Sequence, residues 1–290
     1  MIFALKLTHE DGAHLNLWLI LTTQHGNMTQ QSIIDKINRH KKQPNLRYVL
    51  KQQTEDFTNT LFYTLFDIDT PVEKNLGLLE TQFDALVDLA CWDVDKSCKK
   101  IWDSYVEKLP EILRRLNLDA EATVNCDPAS LSIEEVYMAY PGFYAIAIYR
   151  LAHELYAEGF PLVPRLMTEY AHRQTGVDIN PGAQIGDSFH IDHGTGVVIG
   201  ETAIIKNHVK IYQGVTLGGL YVAKHLQKTK RHPTIEDKVT IYANATILGG
   251  DTIIGKNSVI GGNAWLTASV PKNSTVFHTP EIKIKTLPNV

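Results

Sequence analysis

Cysteine is scarce in this chain. Three stand in 290 residues, Cys91, Cys98 and Cys126. They are too few and too scattered for a disulfide framework or a cysteine-built zinc site. Cys91 and Cys98 lie within one helical pattern, on one face, where buried small side chains are expected. Such usage fits a reducing, cytoplasmic compartment. Long apolar runs are missing as well. The longest early one, "LNLWLILT" at 15–22, is far shorter than the roughly 18 residues that span a bilayer. No basic segment precedes it and no small-residue cleavage site comes after it, so it makes a poor signal peptide. Positive charge is short too: 28 Lys and Arg face 32 Asp and Glu, a net charge of −4. Bulk electrostatics therefore give no reason for a nucleic-acid or membrane partner. With 44 % hydrophobic and 21 % charged residues, the composition is that of an ordinary globular protein.

What is present changes character near residue 175. Residues 1–27 do not continue smoothly into the helical pattern after them and read as an N-terminal extension, with Met28 an alternative start. From 28 to 175 the texture is helical. "QSIIDKINRHKKQ", "NLRYVLKQQTEDFTNTLFYTLF", "KNLGLLETQFDALVDLACWDVDKSCKKIWDSYVEKL" and "PEILRRL" repeat apolar residues at intervals of three and four. Asp127-Pro128 with Ser130 and Ser132 marks a helix start. "IEEVYMAYPGFYAIAIYRLAHELYAEG" resumes the period, broken at Pro141-Gly142.

Beyond 175 aliphatic residues recur every six positions: Ile179, Ile185, Ile191, then after a two-residue slip Ile199, Ile205, Ile211 and Leu217. Ile235, Ile241 and Ile247 come after a gap, and one extra residue shifts the phase to Ile254, Ile260 and Leu266. A period of six is neither helix nor plain strand. It predicts a left-handed parallel β-helix of hexapeptide repeats over 176–271, each anchor pointing into a prismatic core. Chance spacing in a β-sandwich is the weaker alternative. The fold class is thus α+β, with the helical domain preceding the β-helix and a tail at 272–290. The flat sides of such a solenoid favour a homo-oligomer, most simply a trimer.

The gap is "GGLYVAKHLQKTKRHPT", a loop protruding over 218–234. It carries Lys224, Lys228, Lys230, Arg231, His225 and His232 and no acid. It reads either as a solvated surface loop or as a clamp for an anion such as a polyphosphate.

Asp178, Asp192, His193 and the pair Arg231-His232 sit on or beside the repeat without serving it. Asp178 and His193 are close to one coil apart, and the Gly194-Thr195-Gly196 turn brings their neighbourhoods together. A carboxylate beside an imidazole makes a general base suited to a hydroxyl group. Zinc at His190, His193 and His208 is the competing reading. Their spacing offers no clear converging set, so no metal is expected.

Residues 176–219, "GVDINPGAQIGDSFHIDHGTGVVIGETAIIKNHVKIYQGVTLGG", with "KRHPTI" downstream at 230–235, resemble the serine O-acetyltransferases. "CDPAS" at 126–130 and "YPGFYAIAIYRLAHELY" at 140–156 are similar to that family's helical domain. The resemblance implies acetyl transfer from acetyl-CoA to L-serine in cysteine biosynthesis. It implies His193 as general base, Asp178 as its orienting carboxylate, Asp127 and Asp192 on the serine ammonium, and Arg231 with His232 at the carboxylate end. Acetyl-CoA would lie near Gly218, Gly219 and Ala243, with Lys230 and the basic loop near its phosphates. A site shared between subunits of a homotrimer or a dimer of trimers is implied, as is feedback by cysteine. Docking into O-acetylserine sulfhydrylase through the tail is implied too, although the chain ends in Val290 where such members end in Ile. Asn180 replaces a common His, the loop is longer, and the tail is altered. A hexapeptide acetyltransferase for a sugar or xenobiotic hydroxyl, and a solenoid scaffold subunit, are the alternative readings.

Overall fold

The computed structural model describes residues 29–41, 47–91, 99–220 and 229–279. The expected extension 1–27 with Met28, the cysteine Cys98, the loop residues Lys224, His225 and Lys228, and the tail from 280 to Val290 lie outside the described residues. The chain divides into two compact units, Met1–Leu46 and Arg47–Val290. The first contributes helix α1 (Gln30–His40), started by the Thr29 side chain accepting the Ser32 N–H.

The second unit opens with helices α2 (Val49–Phe66), α3 (Val72–Ala90), α4 (Lys99–Cys126), α5 (Ile133–Ala139), α6 (Pro141–Ala157) and α7 (Val163–Thr175). The expected break at Pro141 is real. Pro141 opens α6, where its missing N–H costs nothing. Gly176 in the left-handed conformation closes α7. The long pattern over 74–109 is not one helix, however. The chain leaves the helix at Ala90, and Cys91 (φ −96°, ψ 61°) caps it. Cys91 is disulfide-bonded, not the buried free thiol expected. An apolar period records which side chains face a core; it carries no trace of a cross-link.

Phe57, Phe83, Trp102 and Phe160 form the aromatic centre of the helical layer, with ring centroids of Phe83 and Phe160 4.9 Å apart. Helix α6 is apolar nearly all round and correspondingly buried, from Phe143 to Ala152 except Tyr144. It lies between the other helices and the first coil of the β-helix. A buried ion pair fastens that junction. Arg150 on α6 donates to both carboxylate oxygens of Asp119 on α4 and to the carbonyls of Ile185 and Gly186. The same carboxylate accepts the Phe189 N–H at 2.8 Å. Arg150, Asp119 and Phe189 are almost fully buried.

Among the described residues, fourteen short strands come next, β1 (Asp178–Ile179) to β14 (Thr275–Val276). They form three parallel sheets. The first is β1-β4-β7-β10-β13, the second β2-β5-β8-β11 and the third β3-β6-β9-β12-β14. Each coil visits the sheets in turn, so the chain is a left-handed parallel β-helix. Nearly every six-residue anchor points inward: Ile179, Ile185, Ile191, Ile199, Ile205, Ile211 and Leu217 are all buried. Asp178 pairs with Val198 but Val198 pairs with Thr216, so the first rung is two residues longer than the second. The two-residue slip is therefore confined to the turn after β3 (His190–Ile191). Strand β14, paired with β12 (Val259–Ile260), carries the prism to Val276, beyond the expected limit of 271.

Candidate active site

The turn after β3 is the corner between the third and first sheets. Later coils cross this corner with a single residue in the left-handed region: Gly214, Asn244 and Asn263. The first coil uses three, His193 (φ 58°), Gly194 and Gly196. A side chain there costs of order 1 kcal/mol or more, a cost that Asn244 and Asn263 also carry, and what sets the first coil apart is its lengthened turn. It turns the His193 imidazole outward: the side chain is 71 % exposed, while that of Asp192 is only 12 %. Nε2 of His193 lies 3.7 Å from Asp192 Oδ1, an ion-pair separation and not a hydrogen bond.

Asp127, directly after α4, faces the same corner. Its carboxylate accepts the Tyr140 hydroxyl at 2.7 Å and the Ala129 N–H at 2.8 Å. These bonds hold its carboxyl below the usual carboxylate range. Tyr140 is positioned by the start of α6, and that start is pressed onto β3. A Cβ on Gly142 would stand 2.3 Å from the Ile191 carbonyl oxygen. Glycine at 142 thus permits the close approach that seats Tyr140 and Asp127 over the corner. Tyr140 was legible only as a Tyr-Pro-Gly helix break.

Asp178 opens β1, beside the same corner, and Val177 Cγ2 lies against Gly194. Its charged partner is Arg165 of α7, at 3.3 Å, not His193. Arg165 also pairs with Glu169, which lies 3.3 Å from His172. Glu169, His172 and Asp178 could share a cation by distance, and the Arg165 guanidinium is the cation that holds both carboxylates. The three candidate zinc histidines do not gather at one corner. His190 Nδ1 bonds Thr123 inside the third-sheet face, and His208 lies at the turn before β6 (Lys210–Ile211).

Arg231 and His232 stand at a different corner, between the first and second sheets, before β8 (Thr234–Ile235). Arg231 is ion-paired with Glu201, which also accepts the Tyr156 hydroxyl at 2.9 Å. Those two bonds outweigh burial and keep the Glu201 carboxyl below its ordinary range. The His232 ring lies against Gly200, where a Cβ would come within about 2 Å of it. Nδ1 of His232 accepts the Thr202 N–H at 3.1 Å, so its proton belongs on Nε2. Burial, then the charges of Arg231 and Lys230, push this imidazole down to about 4, so it is neutral. A cavity of about 730 Å³ opens here, lined by Tyr156, Gln184, Glu201, Thr202, Lys230 and Arg231. Gly218 and Gly219 flank the same corner after β7 (Thr216–Gly218), whereas Ala243 lies at the corner that carries His193 in an earlier coil.

A hexapeptide-repeat β-helix, capped by helices and bearing acids, an imidazole and a guanidinium at its corners, is the class these features define. No family model matches the chain. A serine acetyltransferase of Synechococcus elongatus is 48 % identical over 188 residues, which are 63 % of this chain and 59 % of the relative. The solved serine acetyltransferase 1 of Entamoeba histolytica, in complex with L-cysteine, has a TM-score of 0.67 at 34 % identity, covering 80 % of this chain and 97 % of that one. A Brucella abortus serine acetyltransferase in complex with coenzyme A has a TM-score of 0.58 at 30 % identity, covering 78 % and 80 %. The chain belongs to the serine acetyltransferase family. It spans a little over half the length of the first curated relatives it matches, 59 % and 53 %. Among the described residues no helix is long and apolar enough to cross a membrane.

Proposed function

We propose that this chain transfers an acetyl group from acetyl-CoA to the hydroxyl of L-serine, with His193 as the general base. The observation that carries the proposal is the lengthened first-coil corner, where an outward-turned imidazole stands among carboxylates. The serine hydroxyl attacks the thioester carbonyl while His193 takes its proton. The carbon–sulfur bond then breaks, and the leaving CoA sulfur receives that proton from the imidazolium. Asp192 stabilises the imidazolium as it forms. Asp127 and Asp192 bind the serine ammonium, and Asp178, at the edge of the same corner, steadies the base.

Arg231 takes the serine carboxylate by exchanging it for Glu201, as one bidentate partner replaces another. Within one chain this guanidinium stands at the opposite edge of the first sheet from His193, roughly 15 Å away over about five residues of extended chain. The charged ends of serine are only about 3 Å apart by covalent geometry. One chain therefore cannot grip both ends. The reading requires a homotrimer in which one copy's His193 corner meets its neighbour's Arg231 corner, with acetyl-CoA along that seam past Gly218, Gly219, Ala243 and Lys230. A further pairing of trimers, docking of the Val290 tail into the sulfhydrylase, and a cytoplasmic setting belong to the same proposal.

The test is release of CoA thiol with L-serine, set beside a panel of sugar and other hydroxyl acceptors. His193→Ala should lower turnover by two or more orders of magnitude with fold and trimer intact. Unchanged turnover in that variant, or no thiol release with L-serine, rejects the reading.

A further inference from the structure

Behind the His193 corner, between α4 and the third sheet, lies a separate cavity of about 250 Å³ that the proposed reaction does not use. Glu121, Asn125, Cys126, His190, His208 and Lys210 are among its lining residues. Cys126, the last residue of α4, is a free, half-buried thiol immediately before Asp127. The Lys210 ammonium donates to the Cys126 carbonyl at 3.0 Å and sits over the Tyr212 ring. Burial draws this ammonium's pKa down. The Tyr212 hydroxyl and the charges of Tyr212, Cys126 and Asp192 more than offset that, so it stays charged.

His190 supplies an independent sign of a ligand. It is 1 % exposed, and its Nε2 is buried with no hydrogen-bond partner. Its Nδ1 lies 3.0 Å from Thr123 Oγ1. The Thr123 hydroxyl proton is committed to the Asp119 carbonyl at 2.9 Å. Thr123 therefore accepts from Nδ1–H, which leaves Nε2 as a bare acceptor. Burial, with Lys210 nearby, pushes this imidazole down to about 4, so it is neutral. Buried acceptors are rarely left unmatched in native proteins.

His190, with its unmatched acceptor, Lys210 and Cys126 thus line one small cavity. The matching ligand brings an N–H donor, a carboxylate and an electrophilic sulfur. We propose that Cys126, Lys210 and His190 form a thiol-exchange site for a small zwitterionic amino-acid disulfide. The Cys126 thiolate attacks one sulfur of the ligand. A new S–S bond forms to Sγ, the ligand's own S–S bond breaks, and the departing thiolate takes up the proton that Cys126 released. The disulfide is the only oxidant required. Meanwhile the ligand ammonium donates to His190 Nε2 and its carboxylate pairs with Lys210. Because Asp127 comes directly after Cys126, the adduct disturbs the carboxylate that the proposed function assigns to the serine ammonium. That last consequence rests on the functional reading; the adduct itself does not.

The test treats the full chain with L-cystine and, separately, with neutral hydroxyethyl disulfide. Adduct formation is tracked by intact and peptide mass, and each rate is divided by that of free N-acetylcysteine. The Cys126 peptide should gain one half-cystine, with a normalised preference for cystine of tenfold or more. Lys210→Gln should lower the cystine rate about tenfold, and Cys126→Ser should abolish the adduct while keeping basal turnover. Serine KM should rise severalfold in the adduct and return on reduction, with Cys126→Ser indifferent to both treatments. No adduct at Cys126, or equal normalised rates for the two disulfides, overturns the site. An adduct with serine KM unchanged overturns its coupling to Asp127. If no serine turnover exists at all, the mass readout still decides the site, so the two failures are distinguishable.

Discussion

Replacing Tyr140 by Phe removes one oxygen, and with it the 2.7 Å bond from the Tyr140 hydroxyl to Asp127 Oδ2. The ring stays, so the start of α6 and its contact with β3 should persist. A hydrogen bond to a charged acceptor is worth about 1.5–3 kcal/mol in a closed site. Asp127 is only half-buried and keeps its Ala129 N–H bond, so about 1 kcal/mol is the fair expectation. That corresponds to roughly a fivefold rise in serine KM. The chemical step depends on His193, so kcat should stay within about twofold. The sign of the pH effect is fixed as well. The Tyr140 bond is the largest of the influences that hold the Asp127 carboxyl low. Without it the carboxyl protonates at a higher pH, and the acid limb of kcat/KM for serine shifts upward. Steady-state kinetics over a pH series, with circular dichroism to confirm the fold, make the measurement. A KM within twofold of the parent and an unmoved acid limb would refute the role of Asp127 in holding the acceptor. A fall in kcat with KM unchanged would refute the division of labour between Asp127 and His193.

Asp119→Asn keeps the shape of the carboxylate but leaves Arg150 buried without its counter-ion, so unfolding in urea should show a loss of about 3–5 kcal/mol; less than 1 kcal/mol would mean the helical layer is not fastened there. Stability should also fall as pH drops from 6.5 to 4, because burial holds His190 neutral down to about 4 whereas the unfolded chain takes up the proton from about 6.5. The full shift corresponds to about 3 kcal/mol at most, and His232 adds with the same sign. His190→Phe should flatten that slope, and an unaltered urea-midpoint-versus-pH curve in the variant would show that His190 is not its source.

The coil was legible because its cause is periodic. An inward position every six residues leaves a mark that survives two irregular steps, and Ile191 to Ile199 appears in the structure as the longer turn that carries His193. The partners of the candidate residues left no such mark. Arg231 meets Glu201 only because the excursion after Gly219 ends where the chain can rejoin the second sheet beside an earlier coil, a distance in space that no spacing encodes. Arg165 meets Asp178 through the packing of α7 on β1, and helical periodicity specifies a face without naming what it touches. Tyr140 needed Gly142 to let α6 approach β3, which shows as a helix break in sequence and as a contact only in three dimensions. The disulfide at Cys91 was missed for a related reason: a heptad spacing is compatible with one helix face, and the helix ends at Ala90, before Cys91. The same logic explains the division of the candidate site itself. The candidate base corner and the candidate guanidinium stand at two edges of one sheet, with protein counter-charges in place: Arg165 for Asp178 and Glu201 for Arg231. On the proposed reading, an assembly that lays one corner against another exchanges those internal partners for the substrate.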